Sequence, residues 1–287
     1  MKNLFFILIL VSNSLLSQTV DSIKLKGPYL GQKPPETTVE IFAPEVISTD
    51  LTEHGSVTFS PDGKEVFWAV IYNDPFRKKI MTMRLENNKW TAPEIALFSL
   101  GQNEGNPFYS PDGNNLYFDL NGDIWVTQKE GNDWSEAAKV TSSINSDKNE
   151  KIHGVANNGS IYFSRFTSYT DIFSAGKNHG LYVARKKNDH YSTPVKLNID
   201  LNSVDVFVAP DESYMIFEYT TDRQTADLYI TYILNDGSWS ERINLNLGWG
   251  RFPSVSPDGK YLFYMSNEGI NWVNTSFIEQ LKPKGIK

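Results

Sequence analysis

One short pattern recurs along this chain at nearly even spacing, and that recurrence limits the folds open to it more than any other feature. Three copies are almost literal: VTFSPDGKEVFW at residues 57–68, PFYSPDGNNLYF at 107–118 and PSVSPDGKYLFY at 253–264. Two are degenerate: HGVANNGSIYF at 153–163 and VFVAPDESYMIF at 206–217. With Ser60, Ser110, Ala156, Ala209 and Ser256 taken as equivalent, the intervals are 50, 46, 53 and 47 residues. A period in the high forties suits a four-stranded propeller blade and is too long for a leucine-rich or ankyrin unit.

Each copy reads as a β-hairpin on mechanical grounds. In Ser-Pro-Asp-Gly, proline stands where φ is already fixed near −65° and glycine where a positive φ is wanted, which makes a tight turn. The flanks alternate apolar residues with a period of two, or run fully apolar as a buried strand does. A third strand follows in KIMTMRL (79–85), DIWVTQK (123–129), LYVARKK (181–187) and DLYITYI (227–233), each leading into a polar turn. A shorter fourth strand is expected to open on an aromatic, at Trp90, Trp134, Tyr191 and Trp239. These rings are expected to pack between blades rather than line a site.

Five such units predict an all-β fold, a five-bladed β-propeller of four-stranded antiparallel blades. The last unit stops early: after INWV at 270–273 the sequence turns into TSFIEQLKPK, a short helix and tail. The missing strand lies at the other end, where TTVEIFAPEV at 37–46 matches TAPEIALFSL at 91–100 at Thr, Glu and Ile. The N-terminal segment is therefore expected to supply the outer strand of the last blade, closing the ring and removing two exposed edges. The chain then divides into a signal peptide at 1–17, a linker at 18–34 and one propeller domain with a short C-terminal tail at 35–287.

The signal peptide rests on Lys2, the apolar run LFFILILV at 4–11 and a small, polar stretch ending near Ser17 and Gln18. That run is shorter than the roughly 20 apolar residues of a membrane span, and export to the periplasm or beyond is expected. Composition removes several function classes. With no cysteine, disulfide scaffolds, thiolate metal sites and thiol nucleophiles are excluded. A net charge of −7, without any long basic run, argues against nucleic acid as a partner.

At this point the residues resemble a known family. SPDG followed by an aromatic-rich strand, then D-[IL]-[WY]-[VI], then W-[ST]-x-[PA], is similar to the TolB-type, WD40-like propeller repeat of secreted bacterial proteins. The resemblance covers nearly all of the chain after residue 30. It implies the propeller fold and no single activity. Such repeats occur in the TolB component of a cell-envelope complex, in protein-binding modules and in some peptidase and saccharide-lyase propellers. TolB itself carries an additional N-terminal α/β domain, which these repeats do not contain.

Topology points to one face as the place for a site. The SPDG turns and the turns after the third strands share a face and are compact, whereas the second-to-third-strand loops and blade-to-blade connections vary and share the other. Function tends to sit on loops held by a rigid scaffold. Six residues before each SPDG equivalent stand His54, Glu104, Glu150, Ser203 and Gly250, with Glu53, Asn106, Asp205 and Arg251 beside them. Together these predict a polar channel mouth, built from Glu53, His54, Glu104, Asn106, Glu150, Asp205 and Arg251. The variable loops add Tyr72, Arg77, Arg165, Phe166, Tyr169 and Arg223, and aromatics mixed with arginines suit a sugar or a peptide. The competing reading has the carboxylates making turn and strand-start hydrogen bonds. The four histidines show no HExxH or related spacing, and GxSxG, GxGxxG and P-loop motifs are absent. The expectation is thus an exported, monomeric, non-enzymatic binding propeller for a glycan or an extracytoplasmic protein partner, with no cofactor and no metal. The alternative is a saccharide lyase or hydrolase using the mouth carboxylates with His54 and Arg251.

Overall fold

A computed structural model describes residues 25–71, 77–99, 103–168, 179–188, 190–199, 201, 205–220 and 225–286. Five antiparallel sheets are built in the order expected. Blade 1 has an inner strand in two pieces, Thr52–Glu53 and Thr58–Phe59, then Glu65–Ile71, Lys78–Glu86 and an outer Glu94–Ile95. Blade 2 runs Glu104–Tyr109, Asn115–Leu120, Asp123–Glu130 and Ala138–Lys139; blade 3 runs Asn149–Val155, Ile161–Phe166, His179–Ala184 and Val195–Lys196. Blade 4 comprises Val206–Val208, Tyr214–Tyr219, Asp227–Tyr232 and Ile243–Trp249. Blade 5 comprises Arg251–Val255, Tyr261–Ser266 and Gly269–Asn274, and its outer strand is Glu40–Ile41 from the other end of the chain, with Glu40 opposite Trp272. The all-β, five-bladed ring and its N-terminal closing strand are as the repeats predict.

The SPDG turn works through all three of its polar or flexible residues. In blade 1, Ser60 Oγ donates to Asp62 Oδ1 at 2.7 Å and accepts from the amides of Lys64 and Glu65 at 3.1 and 2.9 Å. Gly63 takes φ 68° and its amide returns to the Ser60 carbonyl at 2.8 Å. The same set recurs at Ser110, Asp112 and Gly113, and at Ser256, Asp258 and Gly259. In the degenerate blade 4 turn, Glu212 takes the left-handed place at φ 64°. Left-handed backbone costs a residue with a Cβ, and Glu212 holds Tyr162, Asn158 and Arg185 of blade 3 from there.

The core lies between blades. Trp134 of blade 2 meets Phe67 of blade 1 with ring centroids 5.9 Å apart, and Trp239 packs into a cluster that joins blade 3 to blade 4. The aromatics are inter-blade packing, as expected, but they do not open the outer strands. Trp90, Trp134 and Tyr191 close small hairpins with Leu85, Lys129 and Lys186, and the outer ladders start only at Glu94, Ala138 and Val195. Leu25 and Tyr29 lie against the same core as Phe59 and Trp272, and Trp90 Nε1 donates to the Gly27 carbonyl at 2.8 Å. Residues 25–34, read from the sequence as part of a linker, are thus packed on blades 1 and 5. The expected tail helix spans Ser276–Leu281. The signal peptide lies outside the described residues. No helix among the described residues is long and apolar enough to cross a membrane.

Candidate functional site

Strand register confirms the division into two faces. Each inner strand starts opposite the end of its neighbour, Glu53 against Val70, Glu104 against Leu120 and Glu150 against Arg165. This end also carries the starts of the third strands, Lys78 among them. Within the ring, a cavity of about 50 Å³ is lined by inner-strand residues of all five blades, including Ser56, Asn106, Lys151, Asp205 and Phe252. At the SPDG end the axis widens to about 400 Å³ between Pro61, Pro111, Pro210 and Pro257. The greater volume therefore lies at the end built from repeated turns, whereas the charge lies at the other.

Bulges shape the mouth. The ladders slip between Gly105 and Phe108, between Ile152 and Gly154, and between Arg251 and Ser254. A bulge re-aims a side chain, and here Asn106 at φ 47° and Phe252 at φ 50° occupy the same repeat position in left-handed backbone. Such a conformation in a phenylalanine is a strained state that packing must enforce. The Phe252 ring lies 5.2 Å from the His54 ring, and the Lys151 ammonium stands 4.3 Å from its centroid.

The residues expected at the mouth fall into two groups. Glu53 accepts from the Thr49 amide at 3.1 Å, and Glu150 accepts from the Ser146 amide and hydroxyl at 3.2 and 2.6 Å. Both fold back on the connection four residues upstream, and Glu104 is fully buried at the equivalent strand start. Arg165 closes on Glu150 at 2.7 Å and on the Ile144 carbonyl at 2.6 Å, and Phe166 is buried. These residues hold loops. His54, Asn106, Asp205 and Arg251 are brought together around the axis. Arg77 is exposed on the rim; Tyr72, Tyr169 and Arg223 lie outside the described residues.

The mouth also contains Lys78, at the end of the variable 72–78 segment, and three charges that sequence reasoning passed over: Lys151, Asp119 and Glu218. Arg251 grips Glu218 with two bonds, Nε to Oε2 at 2.8 Å and Nη2 to Oε1 at 3.0 Å, and stands 3.7 Å from Asp205. Lys151 pairs with the other Asp205 oxygen. Asn106 donates to Asp119 Oδ2 at 2.5 Å and the Ile152 amide to Oδ1 at 2.9 Å, tying blade 2 to blade 3. Burial and the neighbouring Asp205 charge push the Glu218 carboxyl up to about 8, so at neutral pH it keeps its proton and shares it with Asp205. Burial also opposes the Asp205 charge, but Lys151, the Glu218 hydrogen bond and Arg251 outweigh it and hold Asp205 below the usual range. Burial raises Asp119 to about 6. It lowers His54 to about 3, assisted by Lys78 and Lys151, leaving a neutral ring. A signal was available. Asp119 and Glu218 interrupt the apolar second strands NLYFDL and YMIFEY at one repeat position, where blade 1 has Ala69.

For chemistry, the free groups are few. His153 is buried with Nε2 2.6 Å from Ser164 Oγ, His179 Nε2 stands 3.0 Å from the Leu201 carbonyl, and His190 is exposed on the opposite face. Among the described residues no three His, Asp or Glu side chains are grouped to hold a metal ion. No family model matches the chain, and no curated protein matches it in sequence. Among solved structures, TolB from Acinetobacter baumannii aligns at TM-score 0.51 and 18% identity over 80% of this chain and 56% of that one. The chain thus spans little more than half of that relative's length. A gluconolactonase from Xanthomonas campestris aligns at TM-score 0.51, with 11% identity over 88% of this chain and 99% of that one. The catalytic domain of a GH62 α-L-arabinofuranosidase from Coprinopsis cinerea aligns at 0.56, with 8% identity over 85% and 99%. At such identities the likeness is one of fold alone, a TolB-like β-propeller shared in outline by proteins whose names describe unrelated activities.

Proposed function

We propose that this propeller is an exported binding protein without catalytic activity, and that it takes a saccharide at the channel mouth between the variable loops. The observation that carries the reading is the prior commitment of the mouth's carboxyl groups. Glycoside chemistry needs two carboxyls about 5–9 Å apart that both face the substrate. Here Glu53 and Glu150 are bound to their own upstream loops, and both Glu218 oxygens are held by Arg251. The axial cavity of about 50 Å³ is far below the ~300 Å³ at which small-molecule pockets begin, so a sugar rests on the mouth rather than inside it. Exposed Arg77 and the ring of Phe252 suit that contact.

The test is a panel of oligosaccharides read by thermal shift and by product analysis. A binding protein shows a melting temperature that climbs with ligand concentration, about 2.7 kcal/mol of stabilisation at a hundredfold excess over Kd, and no product. Product formation would overturn the reading in favour of a saccharide lyase or hydrolase. No shift with any saccharide would transfer the mouth to a protein partner. Export is tested separately: N-terminal sequencing of the protein recovered from outside the cytoplasm should begin near Gln18.

A further inference from the structure

Among the described residues, most charges at the mouth have partners and Lys78 does not. Lys151 and Arg251 share Asp205, Arg251 is held besides by the Glu218 oxygens, and Asp119 accepts from Asn106 and the Ile152 amide. Lys78, half-buried at the start of the third strand of blade 1, makes neither an ion pair nor a hydrogen bond among the described residues. Its ammonium lies beside Gly105 of blade 2, as does His54 Nδ1: a Cβ on that glycine would stand 3.4 Å from Lys78 Nζ and 3.8 Å from His54 Nδ1, in ordinary contact with both. The two nitrogens are thus neighbours of one residue. His54 Nδ1 is buried and has no partner either, and its ring is held against Phe252. A buried polar group without a partner costs about 1–3 kcal/mol, and His54 Nδ1 beside a half-buried ammonium calls for an explanation.

Resting on the binding reading above, we infer that Lys78 and His54 anchor the ligand, and that the group they take is a single carboxylate. Two donors of blade 1, both next to Gly105 of blade 2, match the two oxygens of a carboxylate. The surroundings set the charge. Asp119, Asp205 and Glu104 act on Lys78 through space and Lys151 opposes it, so any anion beside Lys78 meets acids already there, and a single charge meets less repulsion than two. The neutral His54 ring donates to the second oxygen without adding charge. An acidic sugar and a small acid with a peptide-like end carry the same group, and the measurement separates them.

The experiment is isothermal titration of the purified protein with D-glucuronate against D-glucose, and with N-acetylglycine against N-acetylglycinamide. At least one carboxylate should bind about tenfold or more tightly than its neutral counterpart, the size of one charge-assisted hydrogen bond. Lys78→Met should abolish that difference, and Lys64→Ala, exposed on the opposite SPDG face, should keep it. The same Lys78→Met variant, without ligand, should melt at or above the temperature of the native protein, because it removes a half-buried cation that has no ion-pair partner among the described residues. A lower melting temperature would mean that Lys78 serves a structural ion pair, and would overturn the inference. So would equal binding of each carboxylate and its neutral partner, or a carboxylate preference that survives Lys78→Met. Glucose bound as well as glucuronate would sink the carboxylate site and leave the saccharide-binding reading standing. Turnover of a probe whose carboxylate preference depends on Lys78 would do the reverse.

Discussion

Glu218 shows how much one side chain can encode when its surroundings are fixed. It stands on an apolar strand, 2% exposed, with Arg251 across both oxygens and Asp205 beside it. Because the folded protein holds this proton more tightly than the unfolded chain, its stabilising contribution is complete below about 4.5 and is lost as pH rises towards about 8. His54 and His153, both lowered to about 3 by burial, act in the opposite sense and destabilise the fold only as pH drops below 6.5. Unfolding free energy should therefore fall between pH 6.5 and 8.5 by on the order of 2 kcal/mol, and Glu218→Gln should flatten that fall. Urea denaturation at the two pH values decides it; a variant as steep as the native protein would place the proton elsewhere. Little of this was legible beforehand. The position of Asp205 and Arg251 at a strand start was readable from the repeat alignment. The bulges at Asn106 and Phe252, which set what those charges meet, depend on packing between blades and leave no trace in a single repeat.

At the scale of elements, the hairpin turn was the most legible part, because Ser60, Asp62 and Gly63 each satisfy a local requirement within six residues. The outer strands were the least. Glu94–Ile95 and Ala138–Lys139 are only two residues long and exposed, so neither alternation nor burial marks them, and the nearby tryptophans drew the boundary too early. The stretch before residue 35 was read as a linker for the opposite reason: its fold value comes from long-range contacts. Tyr29 and Leu30 sit at φ 50° and 57°, and Leu30 is 2% exposed. Leu30→Ala should cost about 3 kcal/mol, as for other large-to-small changes in a core. A denaturation midpoint that does not move would restore the linker.

For the whole molecule, closure decides more than any blade does. Ser254 Oγ of blade 5 donates to the Val57 carbonyl of blade 1 at 2.7 Å, Phe42 packs on Phe263 and Trp272, and the outer strand of the last blade comes from the beginning of the chain. The scaffold is generic, shared in outline with proteins of several activities, and what is particular to this chain is confined to one end of its axis. The closing strand has a consequence in time as well as in space. A ribosome makes Glu40 and Ile41 before any blade and their partners Trp272 and Asn271 after every other strand of the propeller. More than two hundred residues must therefore be synthesised before the first strand finds its place. Until then the chain carries two open sheet edges, and the ring stays open throughout that interval.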